Sequence, residues 1–113
     1  MPLWHDVNDY IAINYCVEKL EEIAAFCQEK QLRLILVNLP FYHILNEQAH
    51  TSRLTSLDSV ANMLKHKYNI EYYDYRTDKN YSHTDSLFIN CDHLSDIGAK
   101  KFTLEIINPI LKK

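Results

Sequence analysis

The residues whose types and spacing could do chemistry gather in one stretch, Phe88-Ile89-Asn90-Cys91-Asp92-His93-Leu94-Ser95-Asp96-Ile97-Gly98-Ala99-Lys100-Lys101-Phe102. It sets His93 at the start of a final helix, follows it with the chain's one glycine, Gly98, in the first helical turn, and brings Phe102 one turn later. An imidazole in such a place can act as a general base, provided that a nucleophile lies within hydrogen-bond reach. None of the serines here has such a context: Ser52, Ser56, Ser59, Ser82, Ser86 and Ser95 fall in loops, on helix faces or at caps. Ser95 in particular is a good N-cap.

The stretch resembles the last sequence block of SGNH (GDSL-type) hydrolases, D-x-x-H-L-(N/S)-x-x-G-A-x-x-F, through His93, Leu94, Ser95, Gly98, Ala99 and Phe102. The resemblance implies that His93 is the general base for a serine, that the residue three positions earlier orients its ring, and that the glycine packs the last helix against the sheet. It implies acyl or acetyl ester substrates, often carbohydrate-linked, with no metal and no organic cofactor. Two departures stand out. The serine block G-D-S and the blocks that supply oxyanion donors are absent from the sequence. The position of the orienting acid holds Asn90, which can fix an imidazole but cannot stabilise an imidazolium by charge; in a serine-protease triad the Asp-to-Asn change costs roughly 10⁴ in rate. Asp92 is the other carboxylate at hand, yet neighbouring residues in extended backbone point apart, so Asn90 is the expected partner of His93. The candidate site is therefore His93, Asn90 and Asp92.

The remaining candidates read more simply as structure. His43 with His50, and His66 with His83, match no zinc spacing, and Cys91 stands apart from Cys16 and Cys27, so neither a metal site nor a disulfide framework is expected. Cys16 and Cys27 are expected as small buried hydrophobes on a helix. Tyr72, Tyr73 and Tyr75 suit a strand without any ligand, and Tyr81 is the fourth tyrosine of that neighbourhood. A single glycine leaves phosphate-cradling loops without material. A formal charge of −3 offers no basic field for nucleic acid. The longest apolar runs, such as Leu34 to Val37, are too short to cross a bilayer. The stretch after Met1 lacks the basic and apolar regions of a signal peptide, so a soluble chain is expected.

The elements that must position the His93 stretch follow from periodicity. A helix is expected over about Asn8 to Lys30, with Ile13, Val17, Leu20, Ala24 and Cys27 on one stripe. Leu32 to Leu39 reads as a strand apolar on both faces, typical of a parallel sheet covered on both sides, and Pro40 ends it. Phe41 to Ser52 reads as a loop. A second helix spans Leu54 to Lys67, with Leu57, Val60, Ala61, Leu64 and Tyr68 inward and Asn69 as its stop. Ile70 to Tyr75 is a second strand, Arg76 to Ser86 is turn-like, and Leu87 to Ile89 is a short extended piece. The last helix covers Asp96 to Leu111, kinked or ended by Pro109. Helix, strand, helix, strand, helix in 113 residues predicts one α/β domain with a right-handed parallel crossover.

Two strands are few for this class. The pattern reads as a partial three-layer α/β/α, flavodoxin-like unit with a short parallel sheet, resembling the C-terminal half of an SGNH hydrolase domain. The expectation is a C-terminal portion of such a hydrolase that carries the histidine block and is inactive alone. The alternative is a non-catalytic structural or protein-interaction domain. Its partner would be a missing N-terminal half or a second copy in a homodimer, because the uncovered strand edge offers a template for pairing.

Overall fold

A computed structural model describes residues 7–48 and 51–113, and the side chains of 14–47 and 58–113. His50 lies outside the described residues, as do the side chains of Ile13, Leu57, Ser52 and Ser56. The chain is a mixture of helix and strand: α1 (Val7–Glu29), β1 (Ile35–Asn38), α2 (His43–Gln48), α3 (Thr51–Tyr68), β2 (Glu71–Asp74), α4 (Lys79–Ser82), a 3₁₀ turn (Asp85–Leu87), β3 (Phe88–Asn90), β4 (His93–Leu94), α5 (Asp96–Phe102), a wide π turn (Thr103–Ile107) and α6 (Asn108–Leu111). β1 and β2 form a two-stranded sheet. Glu71 N–H donates to Leu34 O and Tyr75 N–H to Asn38 O, a constant offset that makes the pair parallel. Both strands are shorter than their apolar runs.

Contacts divide the chain into two compact units. The first is Met1–Leu36 with Ser52–Tyr72. Its core is Ala24, Leu64 and Ile70, packed by Leu20, Leu34, Leu36, Val60, Met63 and Tyr68. Leu20, Ala24, Val60, Leu64 and Tyr68 are inward positions that helical spacing assigns to α1 and α3, whereas Met63 is not among them. Both helices end on a left-handed residue, Gln31 (φ 57°) and Asn69 (φ 56°). After α1, Leu32 N–H donates to Cys27 O and Gln31 N–H to Gln28 O, which satisfies the last carbonyls in the Schellman pattern. Asn69 is thus the stop that its residue type suggested. Cys16 departs from expectation: it is exposed and Cys27 only half-buried, because the inward stripe centres on Val17, Leu20 and Ala24 and leaves the two cysteines at its edge.

The second unit is Val37–Thr51 with Tyr73–Lys113. Tyr81, Leu87 and Phe102 form its core, with Val37, Tyr75, Phe88, Leu94, Ile106 and Ile107 around them. Tyr75 and Tyr81 both meet the Phe102 ring edge-on, at 5.4 and 5.5 Å between centroids. Their role here is apolar packing.

Three segments of this unit differ from the sequence reading. Phe41 to Ser52 is not a plain loop: α2 occupies most of it, and α3 begins at Thr51. α2 is held by Leu45 N–H on Tyr42 O and by Asn46 Nδ2 on Arg76 O at 2.9 Å, contacts that leave no apolar stripe to read. Arg76 to Ser86 contains α4, capped by Asp78, whose carboxylate accepts from Asn80 N–H at 2.8 Å. Leu87 to Ile89 is one arm of a hairpin, with Phe88 opposite Leu94 and Asn90 opposite His93 across an irregular register. The last helix runs on through Pro109 to Leu111, and the adjustment comes before the proline. There Asn108 N–H reaches back five residues to Thr103 O, a widened turn that accommodates the missing N–H and the bulk of the ring.

Candidate functional site

The hairpin β3–β4 positions the candidate site, and the start of α5 anchors the hairpin. Ser95 N–H donates to Leu87 O at 2.8 Å, and its hydroxyl donates to Ser86 O at 2.7 Å. The same hydroxyl accepts from Gly98 N–H at 3.1 Å, which caps α5 as expected. Gly98 lies against the turn before the hairpin so closely that a Cβ there would sit 2.1 Å from Leu87 O. No side chain larger than hydrogen fits without moving backbone. This close approach is why glycine stands at this position.

Cys91 and Asp92 form the two-residue turn between β3 and β4. The turn brings Asn90, Asp92 and His93 together at one nitrogen. Asn90 Oδ1 lies 2.9 Å from His93 Nδ1, and Asp92 Oδ1 lies 2.7 Å from it. The expectation that Asp92 points away from His93 is therefore corrected. It assumed extended backbone, whereas Asp92 sits in a tight turn that folds its carboxylate back towards the ring. Asn90 Oδ1 also accepts from Asp92 N–H at 3.2 Å, which fixes the amide with its oxygen inward, since a backbone N–H can only donate.

Two acceptors at Nδ1 require the proton on that nitrogen. The Nε2 lone pair is then free, and the His93 side chain is 68% exposed. The arrangement has the parts of a base: a fixed tautomer, an open nitrogen, and a carboxylate to stabilise the imidazolium that would form. Asp92 supplies the charge that Asn90 lacks. The serine hydroxyls whose contacts are described near here serve structure. Ser95 caps α5, and Ser82 is buried and donates to Arg76 O at 3.3 Å.

Sequence reasoning missed Tyr42. Its N–H donates to Cys91 O at 2.9 Å, its hydroxyl to Asp85 Oδ1 at 2.5 Å, and its ring meets Phe88 edge-on at 5.5 Å. The Asp85 carboxylate beside it pushes the phenol pKa up from its ordinary value, so the hydroxyl stays a donor. His43 stacks on His83 with centroids 4.5 Å apart and planes 17° from parallel, and its Nδ1 lies 3.1 Å from Glu47 Oε1. His43 thus meets His83, a pairing that sequence spacing does not suggest. Among the described residues no group of three or more His, Cys, Asp or Glu side chains is arranged to hold a metal ion. Among the same residues no helix is long and apolar enough to cross a membrane.

In comparisons with known proteins, no family model, no curated protein and no solved structure matches the chain.

Proposed function

We propose that this chain is the C-terminal portion of an SGNH-type hydrolase acting on acyl or acetyl esters, carbohydrate-linked ones among them. The observation that supports the reading is the convergence of Asn90 and Asp92 on His93 Nδ1 at the start of a helix that Gly98 docks against backbone. In this reading the parallel β1–β2 pair belongs to a three-layer α/β/α, flavodoxin-like sheet. His93 Nε2 takes the proton of a serine hydroxyl, Asp92 stabilises the resulting imidazolium, and Asn90 keeps the tautomer. The nucleophile and the oxyanion donors come from sequence other than these 113 residues, and no metal or organic cofactor takes part.

The chain by itself is then expected to hydrolyse a short-chain aryl acetate no faster than free imidazole at the same concentration, because oxyanion stabilisation is the largest single contribution to such catalysis. Joined to an in-frame upstream segment bearing a G-D-S block, it should hydrolyse the ester, and His93→Ala should abolish the gain. A joined protein whose rate is indifferent to His93→Ala sinks the proposal.

A second reading, a structural or protein-interaction α/β domain, draws on a different observation. Tyr15, Ile23 and Phe26 are 60%, 49% and 53% exposed on the outward side of α1. Separately, β1 has β2 as its one strand neighbour among the described residues. A homodimer would bury such surface. Light scattering coupled to size exclusion tests it: an invariant monomer mass of 13.4 kDa across micromolar concentrations excludes the dimer.

A further inference from the structure

Among the described residues, the groups that hold the His93 ring belong to its own hairpin, so its orientation is no better defined than the turn itself. The backbone of Cys91, at the tip, is tied by Tyr42 N–H at 2.9 Å. The same residue reaches the two segments that frame the hairpin. Its ring packs against Phe88 in β3, and its hydroxyl bonds Asp85 at the head of the 3₁₀ turn that leads into β3. Tyr42 itself is fixed from behind: Phe41 N–H and Asn46 Nδ2 both donate to Arg76 O, at 3.1 and 2.9 Å. Arg76 in turn is buried and ion-paired with Asp74 at 2.6 Å. A chain of bonds thus runs from the end of β2 through Tyr42 to the turn that carries the imidazole.

We infer that Tyr42 is a positioning residue for His93, acting through the Cys91–Asp92 turn rather than by touching the ring or a substrate. The inference rests on the proposed role of His93 as a base with a fixed Nδ1–H tautomer, and it adds the contact that makes the tautomer fixed. With Tyr42 docked, Asn90 and Asp92 stay converged on Nδ1. With its hydroxyl bond to Asp85 lost, Tyr42 is docked less firmly, so the turn that its N–H holds at Cys91 O gains freedom, the two acceptors part from the ring, and the neutral imidazole is free to place its proton on either nitrogen. A merely structural residue of the unit would change stability and leave the tautomer alone.

The test is side-chain ¹⁵N NMR of the full chain at alkaline pH, where imidazole is neutral. It compares wild type, Tyr42→Phe and Asp85→Ala, with His66 on α3 as the internal reference. Wild-type His93 should show one protonated and one unprotonated nitrogen, the Nδ1–H form. Both variants, still folded by circular dichroism, should move the two His93 signals towards each other while His66 stays unchanged. Two variants at opposite ends of one hydrogen bond keep the test decisive if either is poorly folded. Unchanged His93 signals in the folded variants overturn the role of Tyr42 and leave the held imidazole standing. A wild-type His93 that already averages the two tautomers overturns the held imidazole and this inference with it.

Discussion

The two units of the chain are held by different kinds of contact. In the first, the core is aliphatic and helical: Ala24, Leu64 and Ile70 are buried, and the polar contacts lie on the outside. Lys19 pairs with Glu22 at 3.2 Å, and Glu21 takes bonds from Lys67 and from the Tyr68 hydroxyl, its carboxyl lowered from the ordinary value by those donors, Lys67 foremost. Exposed pairs of this kind contribute little. In the second unit, polar bonds reach into the packing. Arg76 O accepts from Phe41, Asn46 and Ser82, and Leu87 O accepts from Ser95 while lying against Gly98. Burial without direction fixes that elements pack together. Directed bonds to particular carbonyls fix where a given side chain stands. In the second unit such bonds place an imidazole against two acceptors.

The sharpest test of that difference inserts the same bulk in both units. Gly98→Leu must displace Leu87 O, which also accepts the Ser95 N–H, so the clash cannot be relieved without breaking the tie between the hairpin and α5. A loss of about 3 kcal/mol or more is expected, at or beyond the upper end for overpacking. Ala25→Leu, on the exposed side of α1, should change stability by less than about 0.5 kcal/mol. Chemical denaturation of the two variants decides it; a Gly98→Leu protein of wild-type stability would show that the close approach to Leu87 does not exist.

How much of this was legible in the sequence follows the same division. α1, α3 and both parallel strands are visible because burial writes a period into the chain, as at Leu20 and Ala24 or Val60 and Leu64. Asn69 is visible as a stop because its side chain tolerates the left-handed region. Ser95 and Gly98 are visible because cap chemistry and the resembling block point to the same residues. α2 left no trace because a six-residue helix is too short to write a period and its long-range tie through Asn46 to Arg76 O is polar. The hairpin was missed because its turn, Cys91–Asp92, has none of the usual hairpin residues. Without a visible turn Asp92 reads as extended backbone, with its side chain directed away from His93. Tyr42 had no signal at all: its partners Asp85 and Cys91 are distant in sequence, and no spacing rule connects them.

Cavity formation in the first unit should separate the two kinds of contact further. Leu64 is 1% exposed within an aliphatic core. Leu64→Ala should cost about 3 kcal/mol, the middle of the range for emptying such a site. Leu64→Met, which keeps the volume, should cost less than about 1.5 kcal/mol. Urea titration of the two variants checks the pair. In the same proteins the His93 ¹⁵N signals should match wild type, since no directed bond of the hairpin has been touched. A changed tautomer in Leu64→Met would mean that the first core does more than bury surface.

The smallest expected effect lies in the second core and appears only in alkali. Tyr81 is 2% exposed, and its hydroxyl donates to Glu105 Oε1 at 3.1 Å. Burial first, and the Glu105 carboxylate second, push its pKa up from 10.0 to about 12. A phenol whose folded pKa lies above its unfolded one favours the fold while it stays neutral. That contribution is complete below pH 10 and is lost as the pH rises through about 12. Lys101 shares this neighbourhood, with its ammonium 4.1 Å from the Tyr81 ring and 3.0 Å from Glu105. Tyr81→Phe keeps the ring on Phe102 and removes only the ionisable group. At neutral pH the variant should lose about 1 kcal/mol, the net worth of a hydrogen bond. From pH 10 to pH 12 its melting temperature should fall less steeply than that of wild type, so that the two curves converge. Parallel curves over that window would show that ionisation of Tyr81 has no part in the alkaline loss of stability.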